Sequence, residues 1–300
     1  MPKCIVTGGA GFIGSHLTDR LVELGHEVHV IDNLMLGKKE FVNPKAVFHQ
    51  IDIRDEVELE KVFIGAEVVF HEAADPRLQV SIEDPVGTHE VNVTGTLNVL
   101  VAAKNTKVKK VIFASSCATY GDVPLPISET AVQEPLSPYG LHKKMGEEYC
   151  RLFSQLYGLE TVCLRYFNVF GPRKLDTGSY PMVIPTFLGQ IKRGEVMTIV
   201  GDGEQTRDYV HVDDVVRANI QAWQEEVSNG EPINIGSGRQ VSVNEVARAI
   251  GGESKNIPAR AGEMRHIEAN VAKAKTLLKW ESTISIEEGI DALKKEWGIS

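Results

Sequence analysis

Tyr139 and Lys143 stand four residues apart in a stretch of helical character that follows Pro138. Residues at this spacing share a helix face, which places the two side chains about 6 Å apart. A cation about 5 Å from a phenol, at an effective dielectric constant of about 20, contributes about 3 kcal/mol, or roughly 2 pKa units. The pair therefore suits proton abstraction from a hydroxyl group, with Tyr139 as general base. The alternative reading is an ordinary surface pair.

Ser115 and Ser116 make this spacing more specific. They end the apolar run that begins at Val111, which reads as a buried strand. In an open parallel sheet, ligands bind at the carboxyl ends of the strands. A serine hydroxyl at that end is expected beside Tyr139.

A glycine-rich loop follows the first predicted strand. Thr7 to Gly14 reads TGGAGFIG, which fits GxxGxxG through Gly8, Gly11 and Gly14, and GxGxxG when counted from Gly9. Glycines let the backbone approach a pyrophosphate, whose charge then lies at the positive end of the next helix. The loop predicts a dinucleotide site, whereas a tight turn in another α/β protein is the alternative.

Two acidic residues end the next predicted strands. Asp32 follows Gly14 by 18 residues, where a carboxylate accepts hydrogen bonds from both ribose hydroxyls and repels a 2'-phosphate. NAD is therefore predicted rather than NADP. Asp52 is expected near the adenine, with helix capping before Arg54 as an equal alternative.

The elements that must position these groups alternate regularly. Short apolar runs, such as Lys3 to Thr7 and Thr161 to Phe167, alternate with amphipathic helical stretches from about Asp55, Thr88 (to Lys104) and Pro138 (to Leu156). Strands that are apolar on both faces indicate a parallel sheet covered by helices on both sides. The predicted fold is α/β, a Rossmann-type doubly wound parallel sheet.

The alternation stops after about Phe170, where glycines and prolines punctuate short elements. This indicates a smaller C-terminal lobe. A helix capped by Asp213 and a strand from Pro232 to Ile235 are expected to return to the main sheet. The predicted boundaries are 1–169 plus about 208–235 for the NAD-binding domain, and about 170–207 plus 236–300 for the lobe.

Composition excludes several other classes. The 300 residues are 42% hydrophobic and 24% charged, with a net charge of -9 and no long basic cluster, which argues against a nucleic-acid partner. No apolar run is long enough for a signal peptide or a membrane span. The cysteines show neither CxxC spacing nor a disulfide pattern, which favours a cytoplasmic protein without structural zinc; they are Cys4, Cys117, Cys150 and Cys163.

Several longer sequence motifs, each different from the others, follow one another along nearly the whole chain. They are TGGAGFIGSH from Thr7, HEAADPRLQVSIEDP from His71, NVTGTLNVL from Asn92, SSCATYGD from Ser115, SPYGLHKKMGE from Ser137, RYFNVFGPR from Arg165, GDGEQTRDYVHVDDV from Gly201 and PARAGE from Pro258. These blocks resemble the extended short-chain dehydrogenase/reductases, and within them the NAD-dependent epimerase/dehydratase family and its UDP-glucose 4-epimerase-like group.

The resemblance implies site residues. Ser116 is implied to hydrogen-bond the sugar O4, Tyr139 to be the base, and Lys143 to bind the nicotinamide ribose and lower the tyrosine pKa. Besides the glycine loop, the implied cofactor contacts are Phe12, Ile13, Asp32, Asn33, Asp52, Ile53, Ala73, Ala74, Asn92 and Phe167. The implied contacts of the substrate's nucleotide diphosphate are Asn168, Arg207, Arg260 and Glu263.

The expected reaction is C4 epimerisation of a UDP-hexose with bound NAD. A 4,6-dehydratase or decarboxylase is the main alternative, but such relatives carry acids after the catalytic hydroxyl, where this chain has Cys117 and Ala118. A net reductase and a non-catalytic dinucleotide sensor are further alternatives, although a sensor would usually lack Tyr139 or Lys143. His211 with Asp213 lacks a third metal donor, and Cys117 reads as a small buried residue.

Two finer expectations follow from the resemblance. Ile267 falls where a tyrosine in the family excludes an N-acetyl group, so UDP-GlcNAc is an expected substrate beside UDP-glucose and UDP-galactose. Ile267 as part of the lobe's core is the alternative. The helices from Thr88 and Pro138 resemble the family's dimer interface, which implies a homodimer.

Overall fold

A computed structural model describes residues 1–174, 182–258 and 265–299 of the chain. Its strands, numbered along the chain, are β1 (Lys3–Thr7), β2 (Glu27–Ile31), β3 (Val47–His49), β4 (Val68–His71), β5 (Lys110–Ser116), β6 (Glu160–Tyr166), β7 (Asn168–Phe170), β8 (Met197–Val200), β9 (Thr206–His211), β10 (Glu231–Ile235), β11 (Gln240–Ser242) and β12 (Ser254–Ile257). Its helices are α1 (Phe12–Glu23), α2 (Glu56–Phe63), α3 (Leu78–Glu83), α4 (Pro85–His89), α5 (Gly95–Asn105), α6 (Pro138–Tyr157), α7 (Val183–Lys192), α8 (Val212–Gln224), α9 (Val243–Ile250), α10 (Ala272–Leu277) and α11 (Ile286–Trp297).

A seven-stranded sheet, counted over the described residues, forms the main layer in the order β10-β6-β5-β4-β1-β2-β3. All neighbouring pairs are parallel. The chain passes from β1 to β2 on one side, while β4 lies on the other side of β1. This reversal opens a crevice at the carboxyl ends of β1 and β4.

Helices cover both faces of this sheet. On one face α1 and α8 bury apolar residues such as Leu17 and Val215 against Val6 of β1. On the other face α2, α5 and α6 pack around Val69 of β4, with Phe153 as the contribution of α6. The predicted doubly wound α/β fold is confirmed.

The helix expected from Thr88 begins earlier. Asp84 accepts a hydrogen bond from the Gly87 amide at 2.9 Å, and Pro85 occupies the first turn, so this cap starts α4 before Thr88. A π-helical turn, Glu90–Thr94, then joins α4 to α5. The prediction of one helix was therefore right in place but wrong at its start.

The expected cap of α8 is also wrong. The backbone N–H of Asp213 donates to Nδ1 of His211 at 3.2 Å, so His211 is the cap and Asp213 lies in the first turn. The return to the main sheet is as predicted, since α8 leads to β10 beside β6.

Several of the remaining described elements share a separate core. Strands β11, β9 and β7 form a second sheet, and β12 pairs with β8. Helices α7, α9 and α11 bury Phe187, Val246 and Ile290 in one cluster with Tyr209 of β9. This cluster agrees with a smaller lobe, while the predicted boundaries stay a prediction. None of the described helices is long and apolar enough to cross a membrane.

A buried ion pair joins α6 to β6. Arg165 donates from Nε and Nη2 to the two carboxylate oxygens of Glu147, at 2.8 and 2.7 Å. Arg165 also donates from Nη1 to the Tyr120 hydroxyl at 2.6 Å. Exposure is 3% for Arg165 and 7% for Glu147, so neither charge has water as a substitute partner.

We predict that Glu147→Ala lowers the free energy of unfolding by about 3–5 kcal/mol, because the Arg165 cation is left buried and unpaired. Glu148→Ala, which breaks the exposed pair with Arg151, is the control and should change it by less than about 1 kcal/mol. Urea denaturation followed by circular dichroism measures both. Equal effects of the two substitutions would contradict the structural role of the buried pair.

Candidate active site

A cleft of about 590 Å³ lies at the carboxyl ends of the main-sheet strands. It brings together most of the site residues expected from the sequence. Those that line it are Gly8, Gly11, Phe12, Ile13, Gly14, Asp32, Asn33, Asp52, Ile53, Ala73, Ala74, Ser116, Tyr139, Lys143, Phe167 and Asn168.

The glycine loop has no room for side chains. A Cβ on Gly8 would lie 2.7 Å from the Ala73 nitrogen, and φ of Gly8 is +70°. A Cβ on Gly14 would lie 2.3 Å from the Gly8 carbonyl oxygen. Gly11 precedes α1 without a side-chain cap, so the first amides of this helix are available to an anion. These features fit the diphosphate of a dinucleotide.

Asp32 is fixed at the end of β2. Its Oδ2 accepts a hydrogen bond from the Ala10 amide at 3.0 Å, and its Oδ1 accepts one from the Leu34 amide at 2.8 Å. Burial raises the pKa of this carboxyl despite these two bonds. The side chain thus links β2 to the glycine loop at the place expected for a ribose.

Asp52 is held by neighbours of the third strand. Arg54 donates to its two carboxylate oxygens at 2.9 and 2.8 Å, and Asn33 donates at 2.8 Å. These donors hold the pKa of Asp52 well below its usual range. The capping alternative is wrong, because Asp55 caps α2 by accepting from the Glu58 amide. Its expected place near the adenine stays a prediction.

The expected catalytic groups meet where α6 crosses the end of β5. The Ser116 hydroxyl lies near enough to the Tyr139 phenol to lower its pKa, and both side chains line the cleft. Lys143 donates from Nζ to the Ala114 carbonyl at 2.6 Å, and this nitrogen lies 6.0 Å from the Tyr139 ring centroid. Ser137 caps α6 by accepting from the Gly140 amide at 3.2 Å, which fixes Tyr139 in the first turn.

The pKa of Tyr139 differs from the sequence expectation. Burial raises it, and this outweighs the lowering by the nearby Ser116 hydroxyl. Asp75 and Glu72 add negative charge nearby, which also raises the pKa. Burial meanwhile lowers the pKa of Lys143 to about 8. The expected net lowering is therefore wrong for the structure as it stands, because the phenol is more desolvated than the spacing implied.

Two of the expected residues lie behind the cleft surface. The Asn92 side chain accepts from the Asp75 amide at 2.7 Å and donates to the Asp75 carbonyl at 2.9 Å, so it fixes the loop after β4. Ile267 is 4% exposed and packs with Tyr120, Phe167 and others in a small apolar cluster. A pocket role for Ile267 stays a prediction.

The residues expected at the substrate's diphosphate are less closely gathered. Asn168 lines the cleft and donates to the Asp208 carbonyl at 3.2 Å. Arg207 lies on β9; burial raises the pKa of the nearby Cys117 thiol, and the charge of Arg207 offsets part of that increase. Arg260 and Glu263 lie outside the described residues.

Sequence reasoning missed one acidic residue of the cleft. Glu72 lines it directly after β4, and its carboxylate accepts from the Tyr166 hydroxyl at 2.8 Å. Burial raises the pKa of Glu72 to about 7. The signal was available, because a residue just after a central parallel strand lies at the ligand-binding edge.

The comparisons with known proteins agree with this site. The chain is 43% identical over 297 residues to a Methanocaldococcus jannaschii protein provisionally named UDP-glucose 4-epimerase, with 95% of each chain covered. A UDP-glucose 4-epimerase of Thermotoga maritima, solved with UDP-glucose, is 40% identical with a TM-score of 0.93, and the match covers 98% of this chain and 99% of that one.

A second solved structure extends the range of similar enzymes. A UDP-N-acetylglucosamine 4-epimerase of Methanobrevibacter ruminantium, in complex with UDP-N-acetylmuramic acid, is 33% identical with a TM-score of 0.93, covering 98% of this chain and 99% of that one. The sequence model of the NAD dependent epimerase/dehydratase family matches residues 4–236. The chain belongs to this family.

Proposed function

We propose that the protein catalyses C4 epimerisation of a UDP-hexose with bound NAD, through a transient 4-keto sugar. The observation that carries this proposal is the meeting of Ser116, Tyr139 and Lys143 at the end of β5, in the same cleft as the glycine loop. Relatives named UDP-glucose 4-epimerase, which match this chain over nearly its full length, support it.

NAD, when bound, supplies reversible acceptance of a hydride from C4. Gly8, Gly11, Gly14 and the uncapped start of α1 would hold its diphosphate, and Asp32 its adenine ribose. Lys143 would bind the nicotinamide ribose.

Tyr139 removes the proton from the sugar O4, while the Ser116 hydroxyl holds that oxygen. Because burial raises the pKa of Tyr139, the phenolate needs positive charge from Lys143 and from the oxidised cofactor to be populated near neutral pH. After the 4-keto sugar has turned about its bond to the diphosphate, the hydride would return to the opposite face of C4 and the Tyr139 phenol would return the proton to O4, so the net redox change is zero.

Elimination or decarboxylation is less well supported. Cys117 and Ala118 follow Ser116, and burial raises the pKa of the Cys117 thiol to about 12, so it carries no charge at neutral pH. The cleft does hold the carboxyl of Glu72, but on the β4 side and bonded to Tyr166. No carboxyl follows Ser116 directly to serve C5 or C6 chemistry.

The proposal includes a homodimer in a reducing compartment, the cytoplasm. Apolar side chains are exposed on the face formed by α3, α4 and α6, namely Ile82 at 51%, Val86 at 70% and Leu141 at 41%. These helices include the pair that resembles the family's dimer interface. All four cysteines are free thiols.

Tyr139→Phe tests the base. Turnover of UDP-galactose should fall by about 10² to 10⁴, because the ring keeps its packing but loses the proton acceptor. Product analysis by nuclear magnetic resonance measures turnover and also separates isomer from dehydrated or decarboxylated product. The matched control is Tyr157→Phe on the exposed end of α6, with unchanged turnover expected. Near-normal turnover in Tyr139→Phe, or a product lighter than the substrate, would contradict the mechanism.

Asp32 predicts the choice of cofactor. The wild-type protein should bind NAD at least about tenfold more tightly than NADP, because the buried carboxylate repels a 2'-phosphate. Asp32→Ser should narrow this difference. Titration of cofactor-free protein gives both dissociation constants, and equal constants in the wild type would show that Asp32 does not face the ribose.

The sugar range is tested through Ile267. We expect the wild type to act on both UDP-GlcNAc and UDP-galactose. Ile267→Tyr should lower the rate with UDP-GlcNAc, relative to the rate with UDP-galactose, by about tenfold, because the tyrosine ring crowds the acetamido group. Thermal unfolding of the variant is measured alongside. A fall of both activities together with a lower unfolding temperature would assign Ile267 to the apolar cluster with Phe167 and not to the pocket.

A further inference from the structure

Residues 171–174, the segment after β7, are held against α1 by side-chain contacts. His16 of α1 donates from Nε2 to the Pro172 carbonyl at 3.0 Å, and Arg173 donates from Nη2 to Asp19 of α1 at 2.7 Å. Phe41 contributes a third contact, since the Arg173 guanidinium carbon lies 5.8 Å from its ring centroid. The next residue, Lys174, is thereby held against the start of the same helix.

Lys174 lines the cleft and has no anionic partner among the described residues. Its Nζ lies 4.9 Å from the ring centroid of Phe12, the first residue of α1. Within the described part of the chain the ammonium makes no hydrogen bond or ion pair. Burial lowers its pKa, as expected for a cation that has lost water and gained no counterion.

Arg173 leaves a second donor open beside it. Its Nη2 donates to Asp19, but Nη1 is buried and has no hydrogen-bond partner in the part of the chain that the structure describes. Buried donors are nearly always satisfied, and an exception calls for a ligand or water. Two cations with unused donors therefore meet at the edge of the cleft.

These donors lie next to the uncapped amides that follow Gly11. Helix amides and a lysine ammonium that lie beside the same residue, Phe12, together supply donors that suit a diphosphate. The carboxylate of Asp32 is already bonded to the Ala10 and Leu34 amides. Among the described residues, the donors left without a partner at this end of the cleft are those of Lys174 and Arg173 Nη1.

We propose that Lys174, positioned by the contacts of Arg173 with α1, binds the diphosphate of NAD beside the start of α1. This rests on the proposed function for the identity of the ligand. The proposal gives the segment after β7 a role in retaining the cofactor, in addition to the roles of the glycine loop and Asp32.

The test measures cofactor binding and not turnover. Dissociation constants of NAD and of UDP are determined by calorimetry on cofactor-free wild type, Lys174→Gln and Lys174→Arg. Lys192→Gln is the matched control, because Lys192 also lies over an aromatic ring, at 5.4 Å from the Trp297 centroid, but does not line the cleft. Unfolding temperatures establish that each variant is folded.

Lys174→Gln should weaken NAD binding by about tenfold and leave UDP binding unchanged, while Lys174→Arg stays within about threefold of wild type. An unchanged NAD constant in folded Lys174→Gln would overturn the proposal. So would weaker binding of UDP alone, which would assign the lysine to the substrate's diphosphate. Tight NAD binding without epimerase activity would refute the proposed function and leave the effect of Lys174 measurable.

Discussion

The attachment of α6 to the ends of β5 and β6 is the constraint on which the active site depends. Lys143 donates to the Ala114 carbonyl, and one helical turn later Glu147 forms the buried ion pair with Arg165. The Ser115 hydroxyl also donates to Glu147, directly beside Ser116, the proposed ligand of the sugar O4. Because these bonds lie in a water-poor interior, any rotation of α6 would leave charges unpaired. The bonds therefore keep Tyr139 of α6 beside Ser116 at the end of β5.

Desolvation has two opposite effects in this site. It raises the pKa of Tyr139 and lowers that of Lys143, so both groups are driven toward their neutral forms. Such a site favours the phenolate only when positive charge is added close by. An oxidised dinucleotide carries positive charge on its nicotinamide ring, which connects proton abstraction to the presence of the cofactor in the form that accepts hydride.

Both sides of the cleft contribute to its charge balance. Carboxylates follow β2 and β4, on either side of β1, and the carboxylate of Asp32 accepts hydrogen bonds from backbone amides. Arg173 and Lys174 lie on the segment after β7, close to the start of α1. This distribution of charge matches an elongated dinucleotide, whose anionic diphosphate lies between two ribose groups.

The sequence by itself determined the doubly wound fold and most of the cleft, because periodicity, the glycine spacing and strand-end residues such as Asp32 and Ser116 are local signals. Tertiary structure alone decided the direction in which the pKa of Tyr139 is shifted, since burial depends on packing from distant segments. It alone showed Ile267 in an apolar cluster and Glu72 beside Tyr166, 94 residues away. It also brought Lys174 to Phe12, because contacts between remote parts of a chain leave no periodic trace in the sequence.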